Sequence, residues 1–214
     1  MDKKIFAILI TVFFTATCAQ AQLIFGARAG FNLTTFSSKN DGKKSAIREY
    51  IKYKQGFQIG LVGEKELTEK FSSQLGILFT TQGWKFHFED ITKSTINLNY
   101  LQISFSPMYK YDIGQKKLFF QICPYFGYAL GGKSKIETTI DGNTEKEEQK
   151  IVFGSERGEM KILDWGAGFC TGLQFDNIQI GFSYNRGFAN LSNVENVSEK
   201  INGFTIFTTY LFGK

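Results

Sequence analysis

Leu118-Phe119-Phe120-Gln121-Ile122-Cys123-Pro124-Tyr125-Phe126-Gly127-Tyr128-Ala129-Leu130-Gly131 divides by alternate residues into two unlike sets. Leu118, Phe120, Ile122, Pro124, Phe126, Tyr128 and Leu130 are all apolar; Phe119, Gln121, Cys123, Tyr125, Gly127, Ala129 and Gly131 are smaller or more polar on the whole. A period of two belongs to a strand whose faces meet different surroundings. The same opposition recurs downstream. Leu163, Trp165, Ala167, Phe169, Thr171 and Leu173 oppose Asp164, Gly166, Gly168, Cys170, Gly172 and Gln174, and Ile178, Ile180, Phe182 and Tyr184 oppose Gln179, Gly181, Ser183 and Asn185. A soluble barrel puts its large apolar face inside and a charged face in water. Here the second face is mostly Gly, Gln, Ser, Asn and Cys, while Lys and Glu gather between the strands. Small polar residues suit a narrow lumen, which leaves the large apolar face for lipid.

Strand-like segments recur around Leu23 to Leu33, Gln55 to Leu67, Phe71 to Phe88, Ser94 to Tyr111, Lys117 to Gly132, Met160 to Phe175, Ile178 to Phe188 and Ile201 to Phe212. That makes about eight, the even count expected of a single-chain outer-membrane barrel. Thr68-Glu69-Lys70, Asp112 to Lys116 and Asp176-Asn177 are tight polar turns. Thr34 to Lys54, Lys133 to Glu159 and Ala189 to Lys200 are long polar links, and Glu89 to Lys93 is a shorter one on the same side. Alternating short and long connections put the turns at one rim and the loops at the other, the extracellular one. Parity breaks are expected where the outward set changes from Leu75, Ile77, Phe79 to Trp84, Phe86, Phe88, and from Ile96, Leu98, Tyr100 to Leu101, Ile103, Phe105, each as a bulge or the membrane rim.

The N-terminus has the parts of a secretory leader: Lys3 and Lys4, an apolar run from Ile5 to Phe14, and Ala19-Gln20-Ala21. This ten-residue run falls short of the roughly 20 of a membrane helix, so cleavage after Ala21 is expected. Cys18 follows Thr15-Ala16-Thr17, which lacks the usual lipoprotein pattern. The fold expected is all-β: residues 1–21 a signal peptide, 22–214 an eight-stranded antiparallel up-and-down transmembrane β-barrel. Export exposes Cys123 and Cys170 to an oxidising compartment. Both lie on the polar face of strands joined by one long link, so they are a candidate disulfide. Arg28 and Asp164 stand out as strand charges on that face, where lumenal hydrogen bonds would satisfy them. The formal charge of +5 comes from 25 basic and 20 acidic residues that interleave without a basic tract, which argues against a nucleic-acid partner.

Several runs resemble one family. Phe25-Gly26-Ala27-Arg28-Ala29-Gly30-Phe31-Asn32-Leu33, Gly76 to Gly83 (GILFTTQG), Asn99 to Lys110 (NYLQISFSPMYK) and Asp164 to Gly172 are similar, in order and spacing, to the PorT-like outer-membrane β-barrels of Bacteroidota. Gln102 and Ser104 stand where that family usually has Glu and Pro. The resemblance spans essentially the whole mature chain. It implies a barrel in the bacterial outer membrane and, for some members, assistance to protein secretion. Tyr210 and Phe212 resemble the aromatic terminal signal of such barrels, with Gly213-Lys214 following.

Chemistry-bearing residues are sparse. His87, the only histidine, lies in Trp84-Lys85-Phe86-His87-Phe88 near the outer rim, with Ser72, Ser73 and Glu89 near in sequence but no nucleophile elbow. Asp141, Glu145, Glu147 and Glu148 are carboxylates of the kind that attract Ca²⁺, but Lys146 and Lys150 interrupt them, and a solvated loop is expected instead. Gly166, Gly168 and Gly172 open no helix, so they make no phosphate loop. No cofactor is expected. The leading expectation is a non-enzymatic barrel in contact with outer-membrane lipid, whose loops 34–54, 133–159 and 189–200 touch an external or envelope partner. The alternatives are a lipid- or lipopolysaccharide-modifying enzyme around His87 and a soluble secreted barrel holding a small apolar ligand.

Overall fold

The computed structural model describes residues 23–40, 43–44, 49–88, 92–140 and 143–213; the leader at 1–21 with Cys18, and also Glu89 and Asp141, lie outside the described residues. In chain order the strands are β1 (Leu23–Asn40), β2 (Lys43–Lys44), β3 (Ile51–Glu66), β4 (Phe71–Phe88), β5 (Thr92–Ile113), β6 (Lys116–Ile140), β7 (Asn143–Lys150), β8 (Leu163–Phe175), β9 (Ile178–Gly187) and β10 (Val197–Leu211). Eight of them form a ring in the order β1-β3-β4-β5-β6-β8-β9-β10, and β10 pairs back onto β1. All ring pairings are antiparallel. Closure supplies a partner for each strand edge, the condition for placing a sheet in hydrocarbon.

The alternation sets the faces. Phe25, Leu61, Ile122 and Ile206 are all at least 60% exposed, while Glu64, Asp164, Gln179 and Thr209 are wholly buried. Large apolar residues pointing out around a ring of polar interior residues form a lipid-facing band. This inverted arrangement overturns the soluble-barrel alternative, because the ring strands turn their polar face inward and a continuous band of large apolar side chains outward. Two of the tight turns use left-handed residues, Gly114 at φ +62° and Asp176 at φ +47°, as two-residue hairpins of right-handed strands require. The turns at 67–70, 114–115 and 176–177 share the rim opposite the long links and mark it as periplasmic.

Three expectations need correction. β5 keeps one parity throughout: Leu98 and Tyr100 are fully buried in the lumen, while Leu101, Ile103 and Phe105 point out. The shift lies one strand over. Asn99 pairs with Gly131 and Tyr100 with Ala129, which leaves Leu130 of β6 as the extra residue. Alternation in a single strand cannot show which partner carries a bulge, so the rung was legible and the strand was not. Trp84 likewise turns inward and stacks on buried Phe36 at 4.3 Å. Just before it, Gly83 has φ +146°, and a Cβ there would collide with the Ile96 carbonyl.

The long links are also less irregular than their composition implies. β1 runs on to Asn40, and β6 continues to Ile140, where it turns back as β7. The ten residues from Gly131 to Ile140 carry roughly 30 Å of strand beyond the lipid band. Polar, Thr-rich and Lys/Glu-rich strands in water look like loops when judged by hydropathy alone.

Candidate functional site

Three layers fill the barrel from the periplasmic rim outward. The floor is ionic. Glu64 of β3 accepts from Lys110 of β5, from Gln179 Nε2 at 2.7 Å and from Gln74 Nε2 at 3.2 Å. Arg28 of β1 donates to Thr209 Oγ1 at 2.8 Å and to Gln74 Oε1, with its guanidinium 4.2 Å from the Phe207 ring centroid. Glu66, at the rim, lies 3.6 Å from Lys110. Within this floor Arg28, Glu64 and Lys110 each meet an opposite charge or a side-chain amide, which the low dielectric demands. The lumenal glycines are spaces for rings: a Cβ on Gly172 would strike Phe119, one on Gly181 would strike Phe207, and one on Gly166 would strike Tyr125.

Above the floor is a polar chamber of about 50 Å³, lined among others by Asn32, Ser104, Ser106, Tyr125, Ser183 and Thr205. At roughly 10–15 Å³ for each water, that space admits a few solvent molecules and no substrate. Asp164 sits at its upper edge, wholly buried, with Tyr125 Oη 3.4 Å from Oδ2.

The extracellular mouth is closed by an apolar lid. Leu98, Tyr100, Ala129, Ala189, Leu191 and Ile201 form one buried cluster, and Ile151, Phe153, Met160 and Ile162 pack onto it. Backbone bonds fix the lid to the staves: Ile151 N to Gly132 O at 3.0 Å, Ile162 O from Ala129 N at 2.8 Å, and Lys161 N to Leu191 O at 2.9 Å. The 133–159 link thus splits into a projecting ribbon and an infolded lid.

Arg28 and Asp164 both lie inside, but they do not meet, and they are not the barrel's only interior charges. Glu64 and Lys110 are as deeply buried. They were missed because Glu64-Lys65-Glu66 and Lys110-Tyr111 fall at strand ends beside the turns, where exposed charges are ordinary. The available signal was parity: Glu64 continues the Gly60, Val62 set and Lys110 the Ser104, Ser106, Met108 set.

Cys123 and Cys170 face the lumen in one buried cluster with Met108, Phe119 and Phe207, and both are free thiols. The register pairs Cys123 with Gly168 and Cys170 with Gln121, so they stand diagonally and not directly opposite. Diagonal Cα atoms are typically about 7–8 Å apart, beyond the usual disulfide range of about 4.4–6.8 Å, and the two side chains meet as a thiol–thiol hydrogen bond. Unreduced, denatured mature protein is therefore expected to titrate two thiols; none would establish the bond.

His87 is half-buried near the extracellular end of β4 and pairs in register with Lys93. Ser72 and Ser73 open the same strand, so roughly 45–50 Å of backbone separates them from the histidine. No nucleophile–base pair arises from these residues. Among the described residues there is also no group of three or more His, Cys, Asp or Glu able to hold a metal ion.

The ribbon is exposed and zipped by charge. Lys133 and Lys135 reach Glu148 at 2.6 and 3.1 Å, and Lys146 reaches Glu137 at 3.2 Å. The Lys133 and Lys135 hydrogen bonds hold the Glu148 carboxyl below its usual range. A depressed folded pKa stabilises above the unfolded value and is lost as pH falls through the folded one. Amide exchange across 133–150 is expected to accelerate below about pH 4 while that of β8 to β10 is unchanged.

A closed eight-stave ring with a lipid-facing band and a filled polar lumen defines an outer-membrane β-barrel. The chain matches the family described as "Outer membrane protein beta-barrel domain" over residues 18–193, and it belongs to that family. A search of curated proteins finds no match. Among solved structures it is similar to Ail, the attachment invasion locus protein of Yersinia pestis, with 18% identity over 89% of this chain and 99% of that one, TM-score 0.40. It is also similar to OprG of Pseudomonas aeruginosa, with 13% identity over 91% and 98%, TM-score 0.43. Neisserial surface protein A is alike at 10% identity over 86% and 96%, TM-score 0.41.

Proposed function

We propose that this barrel is a non-enzymatic member of the PorT-like group that presents its extracellular ribbon and loops to a protein or surface partner, in support of secretion or envelope integrity. The observation that carries this reading is the extracellular extension of β6, paired with β5 on one side as far as Thr92↔Thr138 and with β7 on the other, which stands beyond the membrane on a barrel whose mouth is filled by an apolar cluster. The motif runs at 25–33, 76–83, 99–110 and 164–172 support the PorT-like assignment. A closed lumen argues against a general pore. The separation of His87 from Ser72 and Ser73 argues against a lipid-modifying enzyme. Residues 1–21 act as the leader, and the protein isolated from outer membranes is expected to begin at Gln22.

Removing residues 134–149 and joining the strands by a short turn tests the reading. The shortened protein is expected to reach the outer membrane and to migrate differently before and after boiling, as the parent does, yet to leave the deletion strain's envelope and secretion defects uncorrected. Full complementation by the ribbonless barrel would remove the ribbon from the function.

A further inference from the structure

The extracellular cations fall into two groups that differ in what faces them. On the β6–β7 side, Lys133, Lys135 and Lys146 all have carboxylate partners. On the wall made by β9, β10 and β1, the outward positions at the extracellular end are Arg186, Lys200 and Lys39. Arg186 pairs with Asn202, two residues from Lys200; Lys200 pairs with Ser37, two residues from Lys39. They are thus successive diagonal neighbours, roughly 7–8 Å apart at Cα. None of the three forms an ion pair with a described residue, and no outward position of β1, β9 or β10 is an Asp or Glu.

Just below this basic row, reaching from β9 and β10 across β1 to β3, lies a groove of about 310 Å³ lined by Tyr53, Tyr184 and Phe204 together with Thr35, Ser37 and Asn202. Phe204 lies at its centre, 5.1 Å from Tyr184, 5.7 Å from Phe182 and 6.2 Å from Tyr53 between ring centroids. Tyr rings at this level mark the boundary between acyl chains and headgroups. A molecule resting here meets rings toward the bilayer centre and, toward the outside, cations that form no ion pair with a described residue. Diffuse counter-ions answer the charge but not the groove; an acyl chain alone answers the groove but not the charge. Arg in particular is suited to bidentate phosphate binding.

We propose that the wall running from β9 through β10 and β1 to the start of β3 is a binding site for a phosphate-bearing lipid of the outer leaflet, with acyl chain against Tyr53, Tyr184 and Phe204 and phosphate on Arg186, Lys200 and Lys39. This site rests on the membrane placement of the barrel and is independent of the role given to the ribbon.

The test is native mass spectrometry of the full-length mature barrel in zwitterionic detergent, titrated with bisphosphorylated lipid A, with the same lipid dephosphorylated, and with inorganic phosphate as competitor. Selective retention of the bisphosphorylated lipid is expected. The triple variant Arg186→Gln/Lys200→Gln/Lys39→Gln is expected to weaken it by about a hundredfold, roughly fivefold for each charge removed. Phe204→Ser is expected to weaken it as well, and Lys133→Gln/Lys135→Gln to leave it unchanged; the boil-shift in gels verifies that each variant is folded. Equal retention of both lipids, or an equal loss in the Lys133/Lys135 variant, overturns the site. Full displacement by millimolar inorganic phosphate with Phe204→Ser unaffected also overturns it, leaving a free-anion site in its place.

Discussion

Glu64→Ala is expected to cost the inserted barrel about 3–5 kcal/mol in a reversible vesicle unfolding assay, because Lys110 then remains buried without its nearest carboxylate, Glu66 being farther off and exposed at the rim. Gln74 and Gln179 lose their shared acceptor in the same step, so the damage extends across β4 and β9. The double variant Glu64→Met/Lys110→Met separates charge from volume. Replacing both partners of a buried pair by apolar residues of similar size is often neutral or stabilising. The double variant is therefore expected to recover most of the loss, and a double as unstable as the single would show that the pair is not the source of the effect.

Phe126→Arg carries the second large effect. Phe126 points outward from the middle of the lipid-facing part of β6, opposite Ile103 and Trp165. A cation on the lipid face near the midplane costs roughly 2–4 kcal/mol, whereas Phe126→Leu keeps the face apolar and is expected to be nearly neutral by comparison. Equal losses for Arg and Leu in the same unfolding assay would show that side-chain volume, and not polarity, matters at this position. Gln121→Arg is a poor inward counterpart, since Gln121 is buried against Gln74 close to Arg28 and the change would add a third cation to the floor.

The staves were legible because burial by lipid leaves a stronger mark on sequence than burial by protein. Phe120, Ile122 and Phe126, or Ile178, Ile180 and Phe182, tolerate no polar residue between them at alternate positions, so their parity is plain. The lumen is harder to read because it is filled by compensation. Phe119 and Phe207 lie in the interior beside Gln121 and Thr209, each ring resting on a glycine of a neighbouring strand. A single strand does not reveal which glycine will face which ring. The same limit hid Glu64 and Lys110, whose partners come from strands forty-six residues apart. It also hid the lid, since Leu98, Tyr100, Leu191 and Ile201 are apolar for reasons opposite to those of Phe126: they meet one another inside a mouth that projects beyond the bilayer.

Closure by β10 onto β1 has a kinetic consequence. The fifteen rungs from Gly26↔Leu211 to Asn40↔Val197 join the two ends of the described chain, the most non-local pairing available to it. Until those rungs form, both terminal strands present unpaired backbone that neither hydrocarbon nor water-soluble neighbours can satisfy without aggregation. Contacts of such sequence separation form slowly, because loop closure must precede any reward. The staves therefore enter the bilayer together with ring closure, in a concerted step that waits for β10. Until then the export-competent chain is a species that must be kept from pairing with its own kind.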